Sequence, residues 1–217
     1  MDWFQPLNIY CERQTFGFWS EPVNALTNLI FVALGLILSV KTKDDWFCFF
    51  LSLEVIVIGL ASFIFHTFAN LIAALADILS ILLFGMTYIF VVNLRLMNVN
   101  YLLSLIIAIC LIPFSFCISF ITIIIFGELN GSSWYISFVI LFLVYSYLLR
   151  NRCPDISIAL FYFAPLLAVS IILRSIDHNF CNNIPLGTHF LWHIINGILL
   201  SGLVWYLYRT SKINFKF

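Results

Sequence analysis

The sequence predicts an all-α membrane protein, a bundle of seven transmembrane helices with the N-terminus outside and the C-terminus cytoplasmic. Three observations lead there: an extreme composition, apolar runs of bilayer length, and basic residues gathered on one side. Of 217 residues, 63% are hydrophobic and only 9% charged, and the mean hydropathy is +1.08, far outside the range of soluble globular domains. The formal net charge is zero, so nothing invites a nucleic-acid partner. The opening stretch "MDWFQPLNIYCERQ" lacks a basic segment followed by an apolar one, and no cleavable signal peptide is expected. With no long polar linker or repeat, a single domain covers residues 1–217.

Runs long enough to cross roughly 30 Å of hydrocarbon fall at about 23–40, 46–67, 70–92, 101–126, 135–150, 157–176 and 189–208. The first opens at Pro22, a residue suited to the first position of a helix. The second, running from inside to outside, carries Glu54, Ser62 and His66, and the third, starting outside, carries Asp77. The fourth is long and contains Pro113, so it is either a kinked span or two half-helices. The fifth and sixth are marked only by being apolar, and the seventh opens with His189 and His193. Charge decides the count. With seven spans, Lys41, Lys43, Arg95, Arg150, Arg152, Arg209, Lys212 and Lys216 share one side, leaving Arg13 and Arg174 on the other. That asymmetry makes the richer side cytoplasmic; splitting the fourth segment would scatter it.

An ionisable group within a span is costly and needs a reason. His66 lies near the outer end of the second span, Asp77 about two turns into the third, and His189 and His193 at the start of the seventh. Topology alone therefore brings four residues from three helices to one depth in the outer half of the membrane. Spacing of four puts His189 and His193 on one helix face, and Ser62 on the face of His66. Three neutral imidazoles form a common catalytic zinc shell with a fourth position for water, whose pKa such an ion lowers. Asp77 would hold that water or take its proton, and Ser62 would donate to a developing oxyanion. Taken singly, each has a plainer reading. His66 is an interfacial histidine, the pair with Trp192 belongs to an aromatic belt, and Asp77 and Ser62 bond neighbouring helices. Their joint placement favours the metal site, set at the depth of a lipid's ester or amide linkage.

Ser62-x3-His66, Asp77 eleven residues later, and His189-x3-His193 at the start of the last span together resemble the alkaline ceramidase family. They resemble also its wider seven-helix hydrolase superfamily, which includes the adiponectin-receptor group. "YCER" at 10–13, "FWSEPVNALTNLI" at 18–30, "IDHNFC" at 176–181 and "THFLWHIINGI" at 188–198 carry further likeness. The resemblance covers both ends and spans one to three and seven. It implies hydrolysis of the amide of ceramide or a related N-acyl lipid to a fatty acid and an amine, with His66, His189 and His193 on Zn2+. It also implies a second ion, Ca2+, held in animal members by acidic and amide side chains near the N-terminus. Of that set only Glu12 is present; Ile9, Gln14 and Gly17 stand where Asp, Asn and Glu are expected, so calcium dependence is not expected. Glu21 and Asn24 are read as capping the first helix or as substitute calcium ligands, with capping favoured.

Of six cysteines, only Cys11 and Cys181 share the outer, oxidising side. A Cys11–Cys181 disulfide, which the resemblance also suggests, would tie the N-terminal segment to the loop before His189; two free thiols are the alternative. Glu54 is read as a helix-to-helix bond or as a neutral group at the base of the cavity, with the structural role favoured, His178 as a solvated loop residue, and Asn196 as either a support for the metal site or a helix contact. The substrate would be a membrane lipid reaching the site sideways from the bilayer. The compact chain has the size of a bacterial member, which points to an inner membrane with the site towards the periplasm. Nothing in the sequence sets an oligomeric state. A receptor with structural zinc is the main rival, although the short cytoplasmic loops and tail offer little to signal through. A transporter is the other, although the inner half of the membrane offers only Glu54 to an ion path.

Overall fold

A computed structural model describes residues 2–214; Lys216, one of the basic residues counted above, lies outside them. The described residues are helical apart from turns and a single bridge pairing Pro6 with Asn70. Helices run in the order α1 (Pro22–Thr27), α2 (Leu29–Lys41), α3 (Trp46–Phe68), α4 (Leu71–Val91), α5 (Tyr101–Ile109), α6 (Leu111–Phe126), α7 (Ile136–Leu149), α8 (Pro154–Ser175), α9 (Asp177–Phe180) and α10 (His189–Asn214). Six continuous helical stretches are long and apolar enough to cross a membrane, and Ser133–Leu149 is a shorter apolar one.

Local chemistry sets the boundaries. Pro22 and Pro154 begin α1 and α8, where a missing N–H costs nothing. The carboxylate of Asp45 accepts from Cys48 N at 3.1 Å, and the amides of Asn70 and Asn100 accept from Ala73 N at 3.0 Å and Leu103 N at 2.9 Å. These bonds satisfy N–H groups left over at the starts of α3, α4 and α5. The fourth predicted span is one stretch with a break at Cys110 between α5 and α6, three residues before Pro113. The ring of Pro113 removes the N–H that would reach back into α5, while Phe114 N still bonds Cys110 O at 3.1 Å. Of the two expected outcomes, the structure has a single stretch interrupted at Cys110 rather than two half-helices.

Each long helix packs on the next in sequence, and α10 closes the ring against α2, α3 and α8. The interior is filled by Leu51, Ile58, Leu160, Leu199, Leu203 and their neighbours, whereas Ile64, Leu79, Phe120, Ile124 and Phe161 point outward, as they would towards lipid. Packing is tight where α2 meets α3: a Cβ on Gly59 would stand 2.8 Å from Phe31 Cβ and 3.0 Å from Asn28 O, the close approach that small residues permit. Further from the histidines, Thr87 donates to Glu54 Oε1 at 2.9 Å, joining α4 to α3 as read. Asn196 donates to Ser170 Oγ at 2.8 Å, joining α10 to α8. At the end away from the histidines, Arg95 pairs with Asp45 and Lys212 with Asp44.

The N-terminal segment folds over the other end. Leu7 N bonds Ala69 O at 2.7 Å, using the left-handed turn at Ala69, φ 42°, between α3 and α4. A disulfide joins Cys11 to Cys181 across 170 residues of sequence. Beside it the buried carboxylate of Asp177 accepts from Cys11 N, at 2.8 Å, and from Thr188 N and His189 N, at 2.6 and 2.9 Å. One side chain thus ties the N-terminal segment to the start of α10. Gly187 precedes that start at φ +66°, and any side chain there would run into Asp177.

Candidate metal centre

His66 lies in the last turn of α3, His189 and His193 in the first turns of α10, and all three are buried to 2% exposure or less. Their ring nitrogens lie within 4.8 Å of one another, and the Nε2 atoms of His66 and His189 are 3.3 Å apart. Such a group can hold a metal ion.

On His66 and His193 the outer nitrogen is occupied in a way that frees the inner one, whereas His189 Nδ1 is buried without a partner in the protein. His66 Nδ1 lies 2.6 Å from Glu21 Oε2, so it carries the proton and leaves Nε2 with a lone pair. His193 Nδ1 lies 2.9 Å from Thr27 Oγ1, whose own hydroxyl is directed at Val23 O and Asn24 O. Thr27 therefore accepts from Nδ1–H, and His193 Nε2, buried with no partner in the protein, is a bare acceptor. Two bare imidazole nitrogens side by side repel unless a cation stands between them. Ligands about 2.0–2.1 Å from one ion at the tetrahedral angle are roughly 3.4 Å apart, which agrees with the His66–His189 distance of 3.3 Å. The donor set fits zinc.

A second layer holds these rings. Glu21 also accepts from Arg13 Nε at 2.5 Å and Asn24 Nδ2 at 3.1 Å, and Arg13 Nη2 donates to His66 O at 3.0 Å. Burial alone would raise the Glu21 carboxyl, but the bonds and charges of His66 and then Arg13 hold it below its usual range, and it stays ionised. Tyr10 stacks on His189 with ring centroids 3.6 Å apart; burial pushes its hydroxyl well above the usual range, so it keeps its proton.

Asp77 stands in the second turn of α4, its Oδ1 buried without a partner. It feels the Ser62 hydroxyl, His66 and Arg174, and it shares a small cavity with Tyr10, Tyr135, Arg174, His189 and Trp192. Tyr135 and Trp192 also line a second, almost wholly apolar cavity. That cavity runs through the bundle past Phe84, Tyr88, Phe142 and Leu203. A polar chamber therefore adjoins an apolar one at a shared aromatic wall.

The sequence reading named His66, His189, His193, Asp77 and Ser62, and the fold brings all five together. Glu12 is elsewhere engaged: its carboxylate accepts from Val23 N at 2.7 Å and Asn24 N at 2.8 Å, capping α1. The caps expected of Glu21 and Asn24 are not made; Glu21 faces His66 instead. The reading missed Arg13, Glu21, Thr27, Arg174 and Asp177 as parts of the site. A signal was present for two of them, because Arg13 and Arg174 are the pair of basic residues that break the charge asymmetry, and each is drawn into this centre.

A family model described as Ceramidase matches residues 9–215. No curated protein and no solved structure matches the chain.

Proposed function

The chain belongs to the ceramidase family, and from that premise we propose that it is an integral-membrane zinc amidohydrolase of seven spans, cleaving the amide of ceramide or a related N-acyl lipid. The observation that carries this reading is the buried triad of His66, His189 and His193, with Asp77 and His189 lining a chamber that shares Tyr135 and Trp192 with an apolar cavity. Ser133–Leu149 counts as the seventh span, and the gathering of Lys and Arg at the end away from the triad turns the site to the outer face.

In this account His66, His189 and His193 hold the ion. Zinc bound there supplies Lewis acidity and makes water acidic enough to attack near neutral pH. Asp77 accepts the proton from the attacking water, and the Ser62 hydroxyl donates a hydrogen bond to the carbonyl oxygen as it gains charge. A C–O bond forms, the C–N bond breaks, and Asp77 passes the proton to the departing amine. Fatty acid and amine result. The acyl chain lies in the apolar cavity beyond Tyr135 and Trp192, whose lining of Phe, Leu and Ile offers it what the bilayer core does.

Glu21 and Thr27 fix the tautomers that direct Nε2 inward. The test is fatty-acid release from N-acyl sphingoid bases by zinc-loaded protein beside Asp77→Asn. Release that is lost in the variant supports the proposal, and no release from folded, zinc-loaded protein refutes it.

A further inference from the structure

Among the described residues Arg174 is the one arginine or lysine in the chamber wall, and nothing in the reaction just described uses it. It comes from the last turn of α8 and lines the same cavity as Asp77 and His189. Its Nη1 donates to Asn130 O and Ser132 Oγ, both at 2.8 Å. Around the guanidinium stand the rings of Tyr10, Tyr135 and Trp192, 5.8, 5.4 and 5.6 Å from it. Every one of these partners is neutral. Among the described residues Arg174 makes no ion pair, whereas Arg13, the other cation of this centre, is matched by Glu21. Asp77 acts on it only as a charge at longer range.

Arg174 is part-buried, and a cation inside an apolar bundle with no carboxylate in contact is a group open to a counter-charge. A positively charged metal beside it raises the local charge further. Resting on the hydrolase reading, we propose that Arg174 is a specificity residue that binds an anion on the amine side of the substrate. The preferred substrates are then N-acyl amides with a carboxylate head, of the N-acyl amino acid type, over neutral heads. The aromatic rings flank the guanidinium, Asn130 and Ser132 hold Nη1, and the Tyr10 hydroxyl takes a further bond, leaving the remaining N–H groups of the fork for the carboxylate.

The test uses two ligands of the same acyl chain and scissile bond, N-palmitoylglycine and its uncharged analogue N-palmitoylglycinamide, with wild-type, Arg174→Gln and Arg174→Lys protein. One charge-assisted bond of this kind corresponds to a preference of about tenfold or more. Wild type should show it in kcat/KM for the glycine conjugate. Arg174→Gln should abolish the preference by lowering kcat/KM for the glycine conjugate about tenfold or more beyond any loss on the neutral amide, and Arg174→Lys should keep part of it. Equal rates on the two lipids in wild type, or a preference that survives in Arg174→Gln, overturns the proposal. If neither lipid is hydrolysed, thermal stabilisation of the zinc-loaded wild type decides it. A larger shift with the glycine conjugate that Arg174→Gln removes upholds the anion site while sinking the hydrolase; equal shifts sink the anion site itself.

Discussion

His66 shows how much one side chain depends on what surrounds it. The ligand role proposed for it rests on Glu21 holding the proton at Nδ1, 2.6 Å away, and that partner was invisible in the sequence because it lies 45 residues off, in what reads as a helix cap. Glu21→Gln keeps the shape but removes the charge that favours Nδ1–H. It should weaken zinc binding by about 10–100-fold, measured by competition with a chromogenic chelator; unchanged affinity would make Glu21 a packing residue. Asp77 is expected to behave differently, since it touches no ring nitrogen. Asp77→Asn should retain zinc and melting temperature while losing at least about 10²–10⁴ in turnover, the range for a lost general base. A variant that instead loses its zinc would contradict the role assigned. The histidines and Asp77 were legible from sequence because an ionisable residue inside an apolar run stands out. Glu21 and Asp177 were not, because each lies at a helix end or in a loop where charge is ordinary.

Elements meet the site through two kinds of joint. The first is the strap of residues 6–13 across the ends of α3 and α10, held by the Cys11–Cys181 disulfide and the Asp177 carboxylate. Its cysteine pairing followed from which residues share a side, but the carboxylate beneath it did not, since three backbone N–H groups converging on one side chain leave no pattern in sequence. Reducing the disulfide, or Cys11→Ser, should lower the melting temperature by roughly 5 °C or more and cost activity, because Tyr10 and His189 lose their alignment. No change in either would show that Asp177 holds the strap unaided. The second joint is the crossing of α2 and α3. Gly59→Ala places a methyl group 2.8 Å from Phe31 Cβ and should destabilise by about 1–3 kcal/mol, read as a lower melting temperature. The sequence left open whether the run around Pro113 is one span or two half-helices, and the structure has one stretch interrupted at Cys110.

At the scale of the whole molecule, the seven apolar runs locate the helices to within a few residues, since a bilayer demands length and hydrophobicity of every span. What lies inside the bundle was not legible. Apolar residues look alike whether they face lipid, the core or a cavity, so the chamber beside Asp77 and the apolar space beyond Tyr135 and Trp192 emerge only from packing. Topology remains a prediction of charge. In sealed, right-side-out vesicles, an impermeant thiol probe should label a cysteine placed at Glu128 and leave one at Asn151 unlabelled; the reverse pattern would invert the site. Chelation of the metal should lower both activity and melting temperature, and zinc should restore both, because an ion that binds only the folded bundle stabilises it.

The central claim is that this centre cleaves lipid amides, and the most direct measurement is fatty-acid release from a panel of N-acyl sphingoid bases, N-acyl ethanolamines and N-acylglycines. Purified, zinc-loaded wild type is compared with Asp77→Asn. Steady release from at least one class, absent in a variant of equal zinc content and stability, is the predicted result. Silence across the panel from folded, zinc-loaded protein, or release that Asp77→Asn leaves intact, would contradict the account.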